Sequence, residues 1–105
     1  MTAQERNTFT KFSPWEKLEE DGFVFDLMPE VVRQYNLSAP SDMPRIISIT
    51  PYEKRTKDIG QDEVVINLEC TILKLPDISE TALLTFRYNY EEKSISRIAI
   101  IPIDM

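Results

Sequence analysis

The chain predicts an α+β domain in which one or two short N-terminal helices pack on a four-stranded antiparallel β-meander of order 1-2-3-4. Three observations carry that expectation. Apolar residues alternate strictly through Val64, Ile66, Leu68, Cys70 and Ile72, and again through Ala82, Leu84, Phe86, Tyr88 and Tyr90, the period of strands buried on one face. The helix-type signals all lie ahead of these runs, between Ser13 and Asn36. Finally, two independent turns bring the same side chains to one face. A loop over Glu91 to Ser94 sets Tyr90 against Ile95, Tyr88 against Arg97 and Leu84 against Ile101, and a turn around Pro76-Asp77-Ile78 sets Ile72 against Ala82 and Leu68 against Phe86.

Taken in order, residues 1–12 are polar and without period and are expected to form a flexible arm, from which Phe9 and Phe12 can dock on the body. Residues 13–105 then form the single domain. Ser13 and Glu16 have capping-box spacing and Pro14 sits at the first helical position, so a short helix is expected from Ser13, stopped by Gly22. Phe23 to Leu27 reads as extended. A second helix begins near Met28 and ends by Asn36, with Leu27, Val31, Val32 and Tyr35 on its apolar stripe. Leu37 to Pro44, with two prolines and two serines, is a rigid loop. Arg45 to Tyr52 is the first strand, and Glu53 to Gln61 is a long hairpin loop that carries the basic spot Lys54-Arg55-Thr56-Lys57. Pro51 and Pro102 fall in the outer strands, where a missing ladder donor is tolerated.

Helices followed by four consecutive strands is an order similar to the cystatin-like and NTF2-like layouts. That likeness is one of plan alone, and a plan does not fix a function.

At 105 residues with one cysteine, the chain is long enough to bury a core without staples, and a lone Cys70 on an apolar face reads as packing in a reducing compartment. The expected setting is therefore cytoplasmic, with no leader and no membrane span. Asn36-Leu37-Ser38 has the form of a glycosylation acceptor and is taken as coincidence in that setting. A net charge of −6 is opposite to that of a nucleic-acid binder, which draws its affinity from phosphate neutralisation.

No histidine is present, so the commonest general base and metal ligand is missing, and two scattered glycines, Gly22 and Gly60, make no phosphate cradle. No metal, no cofactor and no catalytic residue is expected. Glu16, Glu19, Glu20, Asp21 and Asp26 form an acidic patch that a solvated helix face explains as well as a cation site does. Trp15, Tyr35, Tyr88, Tyr90 and Arg97 are the candidates for a pocket between helix and sheet. The second face of the sheet is expected to carry Val65, Leu83, Ile98 and Ile100 as an aliphatic strip beside polar residues.

These features predict a small acidic non-enzymatic protein-binding module, of inhibitor, immunity or accessory type, acting through that sheet face on a protein partner or as a homodimer. Two alternatives stand beside it: a small-ligand or enzymatic pocket between helix and sheet, and an acidic decoy of nucleic acid.

Overall fold

The computed structural model describes residues 11–19 and 22–103. In chain order the elements are β1 (Glu16–Lys17), α1 (Phe23–Ser38), β2 (Ile46–Asp58), β3 (Glu63–Lys74), β4 (Ile78–Asn89) and β5 (Ser94–Pro102). The strands form one antiparallel sheet in the order β1-β2-β3-β4-β5, with α1 on one face. The α+β class and the antiparallel meander are as expected; among the described residues one helix, of the one or two expected, packs on the sheet, which has five strands rather than four.

The difference arises at the N-terminal end. Ser13 starts no helix: its N–H donates to Thr56 O at 2.8 Å and its Oγ accepts from Thr56 N at 3.0 Å, while Leu18 N donates to Tyr52 O at 3.0 Å. The groups that a capping box would have used are spent on the edge of β2, which offers a long ready-made ladder where a short isolated helix is marginal. Gly22 correspondingly begins a helix instead of ending one. Its φ of +122° lies in a region that side chains disfavour, so glycine lets the chain turn from the sheet edge into α1. Phe23 to Leu27, expected extended, is the start of that helix, and Pro29 lies inside it. Lacking an N–H, Pro29 leaves the Phe25 carbonyl without its helical donor, and its ring sits on an exposed flank. Val24, Met28 and Val31 are buried against the sheet, with Leu27, Val32 and Tyr35 packed beside them.

The centre of the core on the sheet side is made of alternate residues, Val64, Ile66, Leu68, Cys70 and Ile72 from β3 and Ala82, Leu84, Phe86 and Tyr88 from β4, with Ile46 and Ile49 from β2 and Ile95 from β5 beside them. The faces match the expectation while the register does not. The β3–β4 turn is centred on Pro76, one residue earlier than expected, so Leu68 lies opposite Leu84 and Phe86 opposite Ile66. A two-residue slip preserves every face, because side chains alternate with period two.

The fifth strand breaks that rule. Tyr88 pairs with Ile95, and a β-bulge between Thr85 and Arg87 places Arg97, at φ +54°, outside the regular ladder, after which Leu84 pairs with Ile100 and Leu83 with Ile101. One extra residue inverts the alternation beyond it. Ile98 and Ile100 therefore pack on the core side, which corrects their expected place on the second face, and Ile101 takes that place. β2 also runs further than expected, so Lys54, Arg55 and Lys57 are strand residues and not a loop tip.

Candidate functional site

The second face of the sheet has no helix over it among the described residues. Its centre is a polar chain across three strands, built on the register Arg55↔Asn67↔Thr85. The Asn67 amide, 6 % exposed, is oriented with its nitrogen 2.7 Å from Thr85 Oγ1 and its oxygen 3.2 Å from both Arg55 Nε and Nη2, the orientation that gives both ends a partner. The Arg55 guanidinium carbon also lies 4.5 Å from the Phe12 ring centroid and 4.8 Å from that of Trp15, and Lys57 Nζ lies 5.0 Å from the Phe12 ring. Stacking of this kind ties the β1 segment to β2 through charge and ring quadrupole. Docking of Phe12 on the body is as expected, whereas its cationic partner is not legible in the sequence, since the rings and the cation are some forty residues apart, and Phe9 lies outside the described residues.

A short apolar row lies on one side of that polar chain, where Leu83 pairs directly with Ile101 and Tyr52 reaches the same face next to Glu69. Val65, opposite Arg87, lies on the other side of the chain. Burial, then the charge of Glu69, push the Tyr52 phenol above its ordinary pKa. Val65 and Leu83 are half-buried, while Tyr52 and Ile101 are exposed, Ile101 by 54 %. Glu69 faces Leu83 and forms no ion pair with Arg87.

The five residues expected to line one pocket are dispersed. Trp15 stacks on Arg55 at the second face, Tyr35 packs on the core from α1, and Arg97 stands at the bulge of β5. Only Tyr88 and Tyr90 meet, edge to face at 5.3 Å, and both join Phe23, at 4.9 and 6.3 Å respectively. Tyr88 is buried in this cluster and lines neither of the two clefts described next.

No protein-family model, curated protein or solved structure matches this chain.

Of the acidic patch, Glu20 and Asp21 lie outside the described residues. Glu16 sits on β1 with its Oε1 3.7 Å from Lys54 Nζ, and Asp26 lies in the first turn of α1. Among the described residues no group of three or more His, Cys, Asp or Glu side chains is placed to hold a metal ion, and no helix is long and apolar enough to cross a membrane. Cys70 is fully buried, its thiol donating to Ala82 O at 3.5 Å, and burial pushes its pKa up to about 11. A thiol so placed is held in its protonated, poorly nucleophilic form.

Two clefts flank α1. One, of about 330 Å3, lies between the β1 segment and the start of the helix and is lined by Glu16, Lys17, Leu18, Glu19, Phe23 and Lys54 among others. The second, of about 410 Å3, is lined by Phe25, Met28, Pro29, Val32, Ile47 and Ile49, with Ser48 its one polar residue. Neither is legible in the sequence, because each needs the helix to begin at Phe23.

Proposed function

We propose that this chain is a small acidic protein-binding module that acts without catalysis, of inhibitor, immunity or accessory type, with the open face of its sheet as the contact surface. The layout, with β1 as an added edge strand before the helix, is proposed to be of the cystatin-like kind. The observation that carries the reading is the apolar row on the uncovered face: Leu83 paired with the exposed Ile101, with Tyr52 on the same face. Such a row is set in polar surroundings, Asn67, Thr85 and Arg87, that can satisfy a partner's hydrogen bonds around an apolar centre. A second copy is the simplest occupant, since a two-fold contact needs one self-complementary patch.

Sedimentation at micromolar concentration, together with capture from the source cell, tests this with wild type and Ile101→Lys. The substitution lies on an exposed side chain and leaves the core untouched. Dimer or captured partner in the wild type, lost in the variant, is the expected result. A monomeric wild type that captures nothing the variant does not also capture overturns it.

A further inference from the structure

We propose that the gap between α1 and the outer edge of β2 is a docking groove for an extended segment of a partner protein, carrying one large apolar residue with lysine or arginine beside it. The site is separate from the open sheet face and does not rest on that reading. Three observations converge on it.

First, the outer edge of β2 is closed at both ends and open between them. At one end Asn36 mimics a neighbouring strand, its Nδ2 donating to Ile46 O and its Oδ1 accepting from Ile46 N, both at 3.0 Å. At the other, Leu18 N takes Tyr52 O. Among the described residues no strand pairs with the outer side of Ile47 to Pro51, a window of roughly 17 Å at about 3.3 Å per residue.

Second, the ladder says which groups are free there. Ile46 gives its N–H and C=O to Asn36, so its pairing with Lys74 is of the kind in which both residues point away from each other. Two residues back along β3, Ile72 points the same way as Lys74, and its partner Ile49 therefore turns its N–H and C=O to the open side. Pro51, opposite Cys70, adds a carbonyl and has no N–H to offer. An extended backbone satisfies both groups of Ile49 as Asn36 does those of Ile46, and the residue that does so has its side chain on the same face as that of Ile49.

Third, that face is where the cleft of about 410 Å3 opens, between Ile49 and the α1 flank of Phe25, Met28, Pro29 and Val32. The residue hydrogen-bonded to Ile49 thus sends its side chain into an uncharged cleft large enough for a leucine or phenylalanine. Edge protection explains the two end blocks, but not an apolar cleft left open at the one unprotected step. Charge sets the flanks. Through Phe25 the groove meets the neighbouring cleft, where Lys54 is taken by Glu16 and Lys17 stands opposite Glu53. Glu19 is left over there, and the chain carries −6 in all, so cations on the segment are favoured.

The test uses the full chain and a fluorescein-labelled heptapeptide with phenylalanine at its centre, threonines on both sides and lysines at its ends. Anisotropy should rise saturably, weaken with salt, and shift the Ile49 amide resonance. Replacing the central phenylalanine by serine should weaken binding roughly ten- to hundredfold. Pro29→Lys and Ile47→Lys, both at exposed positions on the groove, should each weaken it at least about tenfold, while Ile101→Lys leaves it unchanged. No anisotropy change up to about 1 mM peptide, or equal affinity in Pro29→Lys, overturns the proposal. A wild type that self-associates and becomes monomeric in Pro29→Lys overturns it in favour of a second copy as the occupant.

Discussion

On the helix-covered face of the sheet Ile66, Leu68, Leu84 and Phe86 are almost wholly removed from water, whereas one step along the same strands Val65, Glu69, Leu83 and Thr85 remain half-exposed. Alternate residues of the same strands are thus held by different physics. The covered face is a close-packed apolar volume shared by β2, β3, β4, β5 and α1, in which each side chain is confined by many others. The open face is held in pairs: Asn67 with Thr85 and Arg55, Arg55 with Phe12 and Trp15. Damage to the first spreads, and damage to the second stays local. That difference makes the open face the place where a partner can be added without cost to the fold.

The largest expected effect tests the covered face. Phe86, 1 % exposed, should cost about 3–5 kcal/mol on truncation to alanine, because the cavity cannot collapse between Ile66 and the bulge of β5. Urea unfolding of Phe86→Ala measures it, and a loss below about 1 kcal/mol would contradict a continuous core there.

On the open face Asn67→Ala should cost about 1 kcal/mol, the net worth of its hydrogen bonds, because the partners it leaves, Thr85 and Arg55, are only half-buried. Its signature should be local. Trp15 is the chain's one tryptophan, so loss of the Arg55 stack should shift the emission maximum while the far-UV spectrum is kept. Arg55→Met should give the same emission change, and the double variant should cost less than the two singles together, since one network is removed twice. Additive costs with unchanged emission would mean that the polar chain does not hold the β1 segment.

How much of this was legible in the sequence follows the same division. The covered face was readable because it depends only on alternation, which survives the two-residue slip at Pro76: Leu68, Leu84 and Phe86 are core in either register. Ile98 and Ile100 were assigned to the wrong face because a bulge leaves no apolar signature; Arg97 at φ +54° looks like any other polar position in a strand. The helix expected at Ser13 failed because its cap signals were real but local, and β2 offered the same backbone groups a longer ladder. The pocket expected from Trp15, Tyr35, Tyr88, Tyr90 and Arg97 dispersed for a related reason: Trp15 precedes the edge strand β1 instead of lying on a helix, and it stacks on Arg55 at the face opposite α1. The acidic residues gave no spatial information by themselves, since Glu16 belongs to a strand and Asp26 to a helix.

Cys70 sharpens the comparison from within the core. Its folded pKa of about 11 lies above its ordinary value of 9.0, so folding favours the protonated thiol. The stabilisation is complete below pH 9 and is lost as pH rises from there through about 11, because the unfolded chain alone gives up the proton. The difference between wild-type and Cys70→Ala stability should therefore narrow across that window. Thiol reagents at pH 8 should label the native protein slowly and the urea-unfolded chain fast, and rapid native labelling would place Cys70 outside the packed face.

The smallest effect is expected on neither face but on the solvent side of α1. Glu30 Oε1 accepts from Arg33 Nε at 3.0 Å and its Oε2 from Gln34 Nε2 at 2.8 Å. These bonds, that of Arg33 first, lower its carboxyl from an ordinary 4.5 to about 2. A folded pKa below the unfolded one stabilises the protein above pH 4.5, and this contribution drains away as pH falls towards about 2. Because the pair is open to water, it is screened, and its weight in the total stability is slight. The titration itself is the sharper readout. Carboxyl NMR shifts should place Glu30 well below its ordinary value of 4.5, and Arg33→Ala should bring it back most of the way, more than Gln34→Ala does. High salt should raise it only in part, since hydrogen bonding is the larger cause and charge the smaller. A Glu30 that titrates at its ordinary value in wild type would mean that this flank of α1, next to Pro29 and the groove, is not held in the geometry described.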